Sequence, residues 1–202
     1  MSHPIHSALD AATADAIDEV YRLWDPPLWI VTAADGERRG GLVATFVVRA
    51  SIVATAPRMV IGIAKQHHTW RLIEAGRGFA LHLLATDQLD LVWRFGLASG
   101  HDTDKFAGCP SSSTPSGQPR LTQAIAWLDC RVEGRLDIGD RTLYLGAVTA
   151  GGTVRRTTPM TVATLYDRAP PERREELSRL YARDGALDEA AIRAWRADGF
   201  PT

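Results

Sequence analysis

Between Gly40 and Thr69 the chain runs through two apolar β segments and then directly into a helix start. The first segment, Gly40 to Ser51, is apolar and β-branched with few charges, the composition of a strand in a barrel wall. The second, Met59 to Ala64, is a short run of buried character that ends at Lys65. Gln66-His67-His68-Thr69 then opens a short helix. Backbone N–H groups at such a start lack intrahelical acceptors. With Lys65, His68 and Thr69 beside them they form a candidate anion site. A strand pair that hands its chain to an anion site suits a small β-barrel holding a phosphorylated cofactor.

The flanking pattern supports one strand-rich unit. Ala8 to Leu23 reads as an amphipathic helix with Ser7 as its N-cap, stopped by Asp25-Pro26-Pro27. Leu28 to Ala34 is a strand, and Asp35-Gly36 signals a hairpin into a strand from Gly40 to Ala50. Thr69 to Ala75 is a helix with Gly76 at C′, followed by a strand from Gly78 to Leu84. Asp87 to Ser99 places Leu91, Val92 and Phe95 on one helical face. Cys109 to Pro119, rich in Ser, Pro and Gly, is a surface loop. Ala126 to Asp137 and Thr142 to Ala150 form a second hairpin about Gly139-Asp140-Arg141. Pro171 to Arg183 is highly charged, with Glu175 and Arg179 at i,i+4, and Leu187 to Ala197 is a further short helix. The expected organisation is a single domain, 1–202, with an N-terminal helix (1–24), a barrel core (25–165) and a C-terminal helical extension (166–202).

Several functions are disfavoured. A net charge of −1 gives no footprint for nucleic acid. No apolar run is long enough for a membrane helix and no leader pattern opens the chain, so the expectation is a cytoplasmic protein. Cys109 and Cys130 are too few for a disulfide framework or a zinc knuckle. No metal set completes around the adjacent His67 and His68. Neither a G-x-S-x-G elbow nor a dinucleotide-binding glycine fingerprint is present. Trp29, Trp70, Trp93 and Trp127 read as core aromatics and Cys130 as an inert buried thiol.

Pieces spread from Leu28 to Val148 resemble the flavin reductase-like family. They are Trp29-Ile30-Val31-Thr32-Ala33-Ala34-Asp35-Gly36, then Gly41 with Ala44 and Ser51, then Lys65 and Thr69. Further on come Phe79-Ala80-Leu81-His82-Leu83-Leu84, Arg94-Phe95, Asp104-Lys105-Phe106 and Gly139-Asp140-Arg141-Thr142-Leu143-Tyr144-Leu145-Gly146. The resemblance implies a mainly β, Greek-key split barrel of the FMN-binding type with peripheral helices. It implies an FMN cofactor and a homodimer whose flavin site is completed at the subunit interface. The activity it implies is an NAD(P)H-dependent flavin reductase, using NADH or NADPH and passing reduced flavin to a partner monooxygenase. A flavin- or small-ligand-binding barrel without turnover is the alternative.

By the same resemblance the flavin ring lies against Gly41, Ala44, Thr45, Phe46 and Ser51, and Lys65, His68 and Thr69 meet the phosphate. Asp140 and Arg141 stand where nicotinamide approaches, and no side chain is assigned a catalytic role. The chain departs from the family habit at Phe46, at His68 (where serine is common) and at Arg141 (where histidine is common). Arginine stays charged and cannot replace imidazole as an acid or base. Each candidate also has a plainer reading: a helix start whose histidines face solvent, a core strand, and a turn closed by an Asp140–Arg141 ion pair.

Overall fold

The computed structural model describes residues 9–97 and 104–199. Helix α1 (Ala11–Arg22) starts at Asp10, whose carboxylate accepts from the Thr13 backbone N–H at 2.9 Å. The expected cap, Ser7, lies outside the described residues. Strands β1 (Trp29–Asp35) and β2 (Arg38–Ala44) form a hairpin over Gly36-Glu37, with Gly36 in the left-handed region at φ +60°.

The strand expected from Gly40 to Ala50 breaks at Thr45-Phe46, because its two halves have different partners. β2 pairs with β1, whereas β3 (Val47–Arg49) pairs with β4 (Arg58–Ala64). With β5 (Gly78–Leu83), β8 (Ala126–Asp137) and β9 (Arg141–Thr153), they form one antiparallel sheet in the order β2-β1-β5-β8-β9-β4-β3. Its two edge strands are thus joined by two residues. A chain spans at most about 3.6 Å per residue, so the sheet's ends must meet there. The sheet therefore curls into a barrel whose edges are joined through Thr45-Phe46, where the Gly62 N–H donates to the Phe46 carbonyl at 3.0 Å and carries the β3–β4 ladder up to the junction. Register shifts at Asp129/Cys130 and Val132/Gly134 add local twist to the long β8–β9 pair. The fold is mainly β, a split barrel with peripheral helices.

β1 is buried on both faces, which explains its nearly continuous apolar run. Val31 and Ala33 join Ile61, Phe79, Leu81 and Tyr144 inside the barrel. Ile30 joins Leu84, Leu91, Phe95, Phe106 and Met160 in an outer layer. His82 is fully buried beside this strand. Its Nε2 accepts from the Leu121 N–H at 3.1 Å and its Nδ1 lies 3.2 Å from the Ile30 carbonyl. The acceptor role of Nε2 places the proton on Nδ1. His82 thereby ties strand β7 (Pro119–Leu121) to the barrel; β7 pairs with β6 (Ser111–Ser113) inside the stretch expected to be loop.

Helix α2 (His68–Gly76) includes Gly76, and Arg77 takes the left-handed position instead, at φ 54°. A Cβ on Gly76 would run into the Ala34 carbonyl oxygen, so glycine serves close packing on β1 rather than the cap. Helix α3 (Leu89–Val92) passes into a π-turn, Trp93–Leu97, and is shorter than the expected Asp87–Ser99 segment; Ser99 lies outside the described residues. Helix α4 (Val162–Arg168) is capped by Thr161. The two helical segments expected after Pro171 form one 27-residue helix, α5 (Pro171–Ala197), with Gly185 inside it. Neither α1 nor α5 buries a residue, and Val20, Leu23, Trp24 and Tyr181 are all exposed. No described helix is long and apolar enough to cross a membrane.

Candidate functional site

β2, the start of α2 and the π-turn enclose a cavity of about 1180 Å³ that α1, α4 and α5 cover. The β2 side supplies Gly41, Leu42, Val43 and then Thr45, an apolar wall ending in one hydroxyl. Phe95 and Gly96 extend the wall, and Tyr21, Trp24, Leu177, Leu180 and Tyr181 line the helical side. The wall is therefore apolar with aromatic edges, the composition expected of a cofactor site with a few placed polar groups.

Asp18 and Arg22 of α1 and Arg183 and Asp184 of α5 put charges on the helical side, and a further polar cluster lies at the β4–α2 end. Gln66, His67, His68 and Thr69 face the cavity where β4 turns into α2. The turn is tight: the His67 N–H donates to the Ala64 carbonyl at 3.1 Å and the Trp70 N–H to the His67 carbonyl at 3.1 Å. His67 is the N-cap and makes no side-chain capping bond, so the first helical N–H groups lack the acceptor a Ser or Asp would supply. Burial lowers the His67 pKa against the opposing pull of Asp184, favouring the neutral ring. Thr69 is 2% exposed.

Lys105 also lines the cavity. Its Nζ donates to the Gly41 carbonyl at 2.9 Å and the Phe95 carbonyl at 2.8 Å, and the residue is only 7% exposed. No described carboxylate is paired with it. Burial alone lowers its pKa, to about 8, which leaves it mostly charged near neutrality.

The expected site residues separate into two groups. Gly41, Thr45, His68 and Thr69 meet at the cavity. Ala44 is buried in the barrel core opposite Trp29. Phe46 is half exposed and lies over Gly62, where a Cβ would come within 2.6 Å of its ring. Ser51 accepts from the Val53 N–H at 3.1 Å in the turn after β3. Lys65 does not line the cavity; its Nζ pairs with Asp137 at 2.7 Å. Arg141 pairs with Asp140, which is 4% exposed, and with Asp188 of α5 at 2.6 Å. Its guanidinium thus holds the C-terminal helix against the β8–β9 turn. The close approach that Gly41 permits is that of Phe95, whose ring a Cβ would meet at 3.0 Å.

Two contributions were not visible in the sequence. Asp104-Lys105-Phe106 stands out in the sequence as a piece of the family pattern, but nothing there shows that Lys105 is buried against the cavity. The α1 and α5 residues over the cavity belong to helices whose placement no local pattern specifies. Trp29, Trp70 and Trp93 lie partly buried against the two cores, while Trp127 carries the Arg120 guanidinium 4.5 Å from its ring centroid. Cys130 is fully buried and its thiol is pushed up to about 12 by burial first and by Asp129 second.

Comparison with known proteins bears on this cavity. The family model of the flavin reductase like domain matches residues 22–169. The chain is 35% identical over 138 residues to the high molecular weight rubredoxin of Moorella thermoacetica, a match covering 67% of this chain and 59% of that protein. It is 31% identical over 131 residues to the reductase subunit HsaB of a flavin-dependent monooxygenase from Rhodococcus jostii, covering 65% of this chain and 64% of that one. The chain therefore spans less than two thirds of either relative. Among solved structures, a nitrilotriacetate monooxygenase component B homologue from Mycobacterium thermoresistibile superposes with a TM-score of 0.68 at 22% identity, covering 81% of this chain and 93% of that one.

Proposed function

The chain belongs to the flavin reductase-like family, and on that premise we propose that it is an NAD(P)H-dependent flavin reductase that takes FMN in the cavity between β2 and the helices. The observation that carries this reading is the cavity's polarity: an apolar β2 wall leads to an uncapped helix start at His67-His68-Thr69. FMN has the matching shape, a planar apolar ring at one end and a phosphate dianion at the other. When bound, FMN supplies a ring that accepts hydride from a reduced nicotinamide.

The protein's own part is positioning. Val43 offers an apolar surface to a planar ring, and Thr45 offers a hydroxyl at its edge. Thr69 and the first N–H groups of α2 receive the phosphate. α1 and α5 exclude water from above. In this reading Arg141 is a strut for α5 rather than a group that meets the nicotinamide.

A homodimer completes the site. Leu23, Trp24 and Tyr181 are exposed beside the cavity, as are Ile52 and Val53 in the turn after β3. A second copy related by a two-fold axis is the commonest cover for such a surface. A reductase of this kind passes reduced flavin to a monooxygenase, a role supported by the likeness to a monooxygenase reductase subunit, and it would do so in the cytoplasm.

The engagement of Arg141 with Asp140 and Asp188 favours a second reading, a flavin-binding barrel without turnover, because the arginine at the turn where nicotinamide was expected is already ion-paired twice. Steady-state oxidation of NADH and NADPH by purified protein decides between them. Oxidation that saturates with FMN supports the reductase. Tight FMN binding without oxidation of either nucleotide supports the binder. Light scattering that shows a monomer at micromolar concentration would remove the dimer.

A further inference from the structure

We propose, resting on the flavin reading above, that α5 is a hinged and latched gate on the cavity, and that its latch on the β8–β9 turn sets how fast flavin enters and leaves. The family match ends at residue 169, so α5 lies wholly beyond it. Hinge, cover and latch follow one another along the chain. Ala169-Pro170 alone joins α4 to α5 and forms the hinge. Arg173 then lies over the Trp93 ring at 5.7 Å and Leu177 packs on the outer core, which seats the hinge end. Leu177, Leu180, Tyr181, Arg183, Asp184 and Leu187 line the cavity and form the cover. Asp188 and Trp195 come last and form the latch. The Arg141 guanidinium donates to Asp188 Oδ2 at 2.6 Å, and a Cβ on Gly139 would lie 2.7 Å from the Trp195 Cβ.

The other walls are fixed. β2 and α2 contribute to the barrel core, and Phe95 of the π-turn and Leu165 of α4 to the outer layer. A ligand must therefore pass the helical side, where α5 supplies the largest share of the lining. At 1.5 Å per residue its 27 residues make a lever about 40 Å long, so a small rotation at the hinge lifts cover and latch together. Little else holds the lever down. None of its residues is buried, and its other ion pairs, such as Arg173–Glu176 and Arg193–Glu189, lie within the helix. The latch itself closes at a cost. Asp188 Oδ1 is buried without a hydrogen-bond partner. Burial raises the Asp188 pKa against the pull of Arg141, and the Asp140 and Asp184 charges add to the rise. Such a pair is readily exchanged for water, and a helix held by it at the far end opens and recloses as a unit.

The test unties the latch and then pins it. Gly139→Cys combined with Trp195→Cys puts two thiols on adjacent Cβ positions, near the spacing of about 3.8 Å that a disulfide takes. The native Cys109 and Cys130 are buried. Reduced, the double variant lacks the Trp195 contact; oxidised, its helix end is tied to the turn. Stopped-flow flavin fluorescence follows FMN association and dissociation in both forms. Both rate constants should be at least about tenfold lower in the oxidised form, with the equilibrium affinity changed by less than about threefold. Asp188→Ala should raise both rate constants roughly 10- to 100-fold over wild type, the range a charged hydrogen bond spans, and quicken hydrogen exchange in α5. If the two thiols do not couple, Asp188→Ala decides. Equal rates in the oxidised and reduced forms overturn the proposal. So does a change in dissociation alone, in the double variant or in Asp188→Ala, which would make α5 a wall that touches the flavin. Protein that binds no flavin in any form refutes the flavin reading itself. Entry of anilinonaphthalenesulfonate into the cavity, timed by its fluorescence in the two redox forms, then still reports on the gate.

Discussion

Acidification should destabilise this protein well before its carboxylates titrate, and His82 sets the window. The ring is fully buried and its Nε2 must stay unprotonated to accept from the Leu121 N–H. Burial lowers its pKa from 6.5 to about 4, with the Arg120 charge adding in the same direction and the Ile30 carbonyl opposing. In the unfolded chain the ring protonates near 6.5, so between the two values the unfolded state holds more protons than the folded one. Stability from this group is fully present above about pH 6.5 and is lost as pH falls towards 4. At about 1.4 kcal/mol per pH unit, the full loss is about 3 kcal/mol, a large fraction of a typical domain's stability. The assay is urea unfolding followed by circular dichroism at intervals from roughly pH 7 to pH 4.5, on wild type and His82→Phe. His67, also lowered by burial, contributes with the same sign in both proteins and cancels in the comparison. The variant should be less stable near neutrality, because the Leu121 N–H and the Ile30 carbonyl lose their partner. It should also show a shallower pH dependence. Identical pH dependence in the two proteins would refute the argument.

Two other perturbations probe how the C-terminal helix is held. Arg141→Ala leaves the buried Asp140 without its partner and releases Asp188, so it should cost about 2 kcal/mol and speed hydrogen exchange in α5 while FMN affinity holds. A raised Michaelis constant for NADH or NADPH with α5 exchange unchanged would return Arg141 to a nucleotide-contacting role. Gly139 is at φ +97° and a Cβ there would meet the Trp195 side chain at 2.7 Å. Gly139→Ala should therefore lower stability by about 1–3 kcal/mol, read as a fall in melting temperature; an unchanged melting temperature would contradict the packing of α5 on this turn.

The barrel was largely legible because its strands carry local signals. The β8–β9 hairpin follows from two β-rich runs separated by Ile138-Gly139-Asp140, and β1–β2 from Asp35-Gly36 between apolar segments. What local pattern could not show was a change of partner. Residues on both sides of Thr45-Phe46 are equally apolar, yet one side pairs with β1 and the other with β4. The segments Pro171 to Arg183 and Leu187 to Ala197 proved to be one helix, because the glycine between them, Gly185, costs a helix only about 1 kcal/mol. The binding end was half legible: an uncapped helix start is visible in His67-His68-Thr69, and its location on a cavity follows from the strand before it. Lys65 adjoins that start in sequence but pairs with Asp137 outside the cavity lining, while Lys105 reaches the cavity only through tertiary packing. Whether a charge is buried or faces water depends on what folds over it, and for Lys105 that includes β2 and the π-turn.

The most direct test is a single turnover without oxygen. Protein loaded with less than one equivalent of FMN is mixed with excess NADH, and separately with excess NADPH, while the oxidised flavin absorbance is followed. At least one nucleotide should bleach the bound flavin rapidly, saturating with nucleotide concentration, and the yellow colour should recover when air is admitted. Flavin that stays oxidised with both nucleotides, although bound, would contradict the claim that this cavity supports hydride transfer.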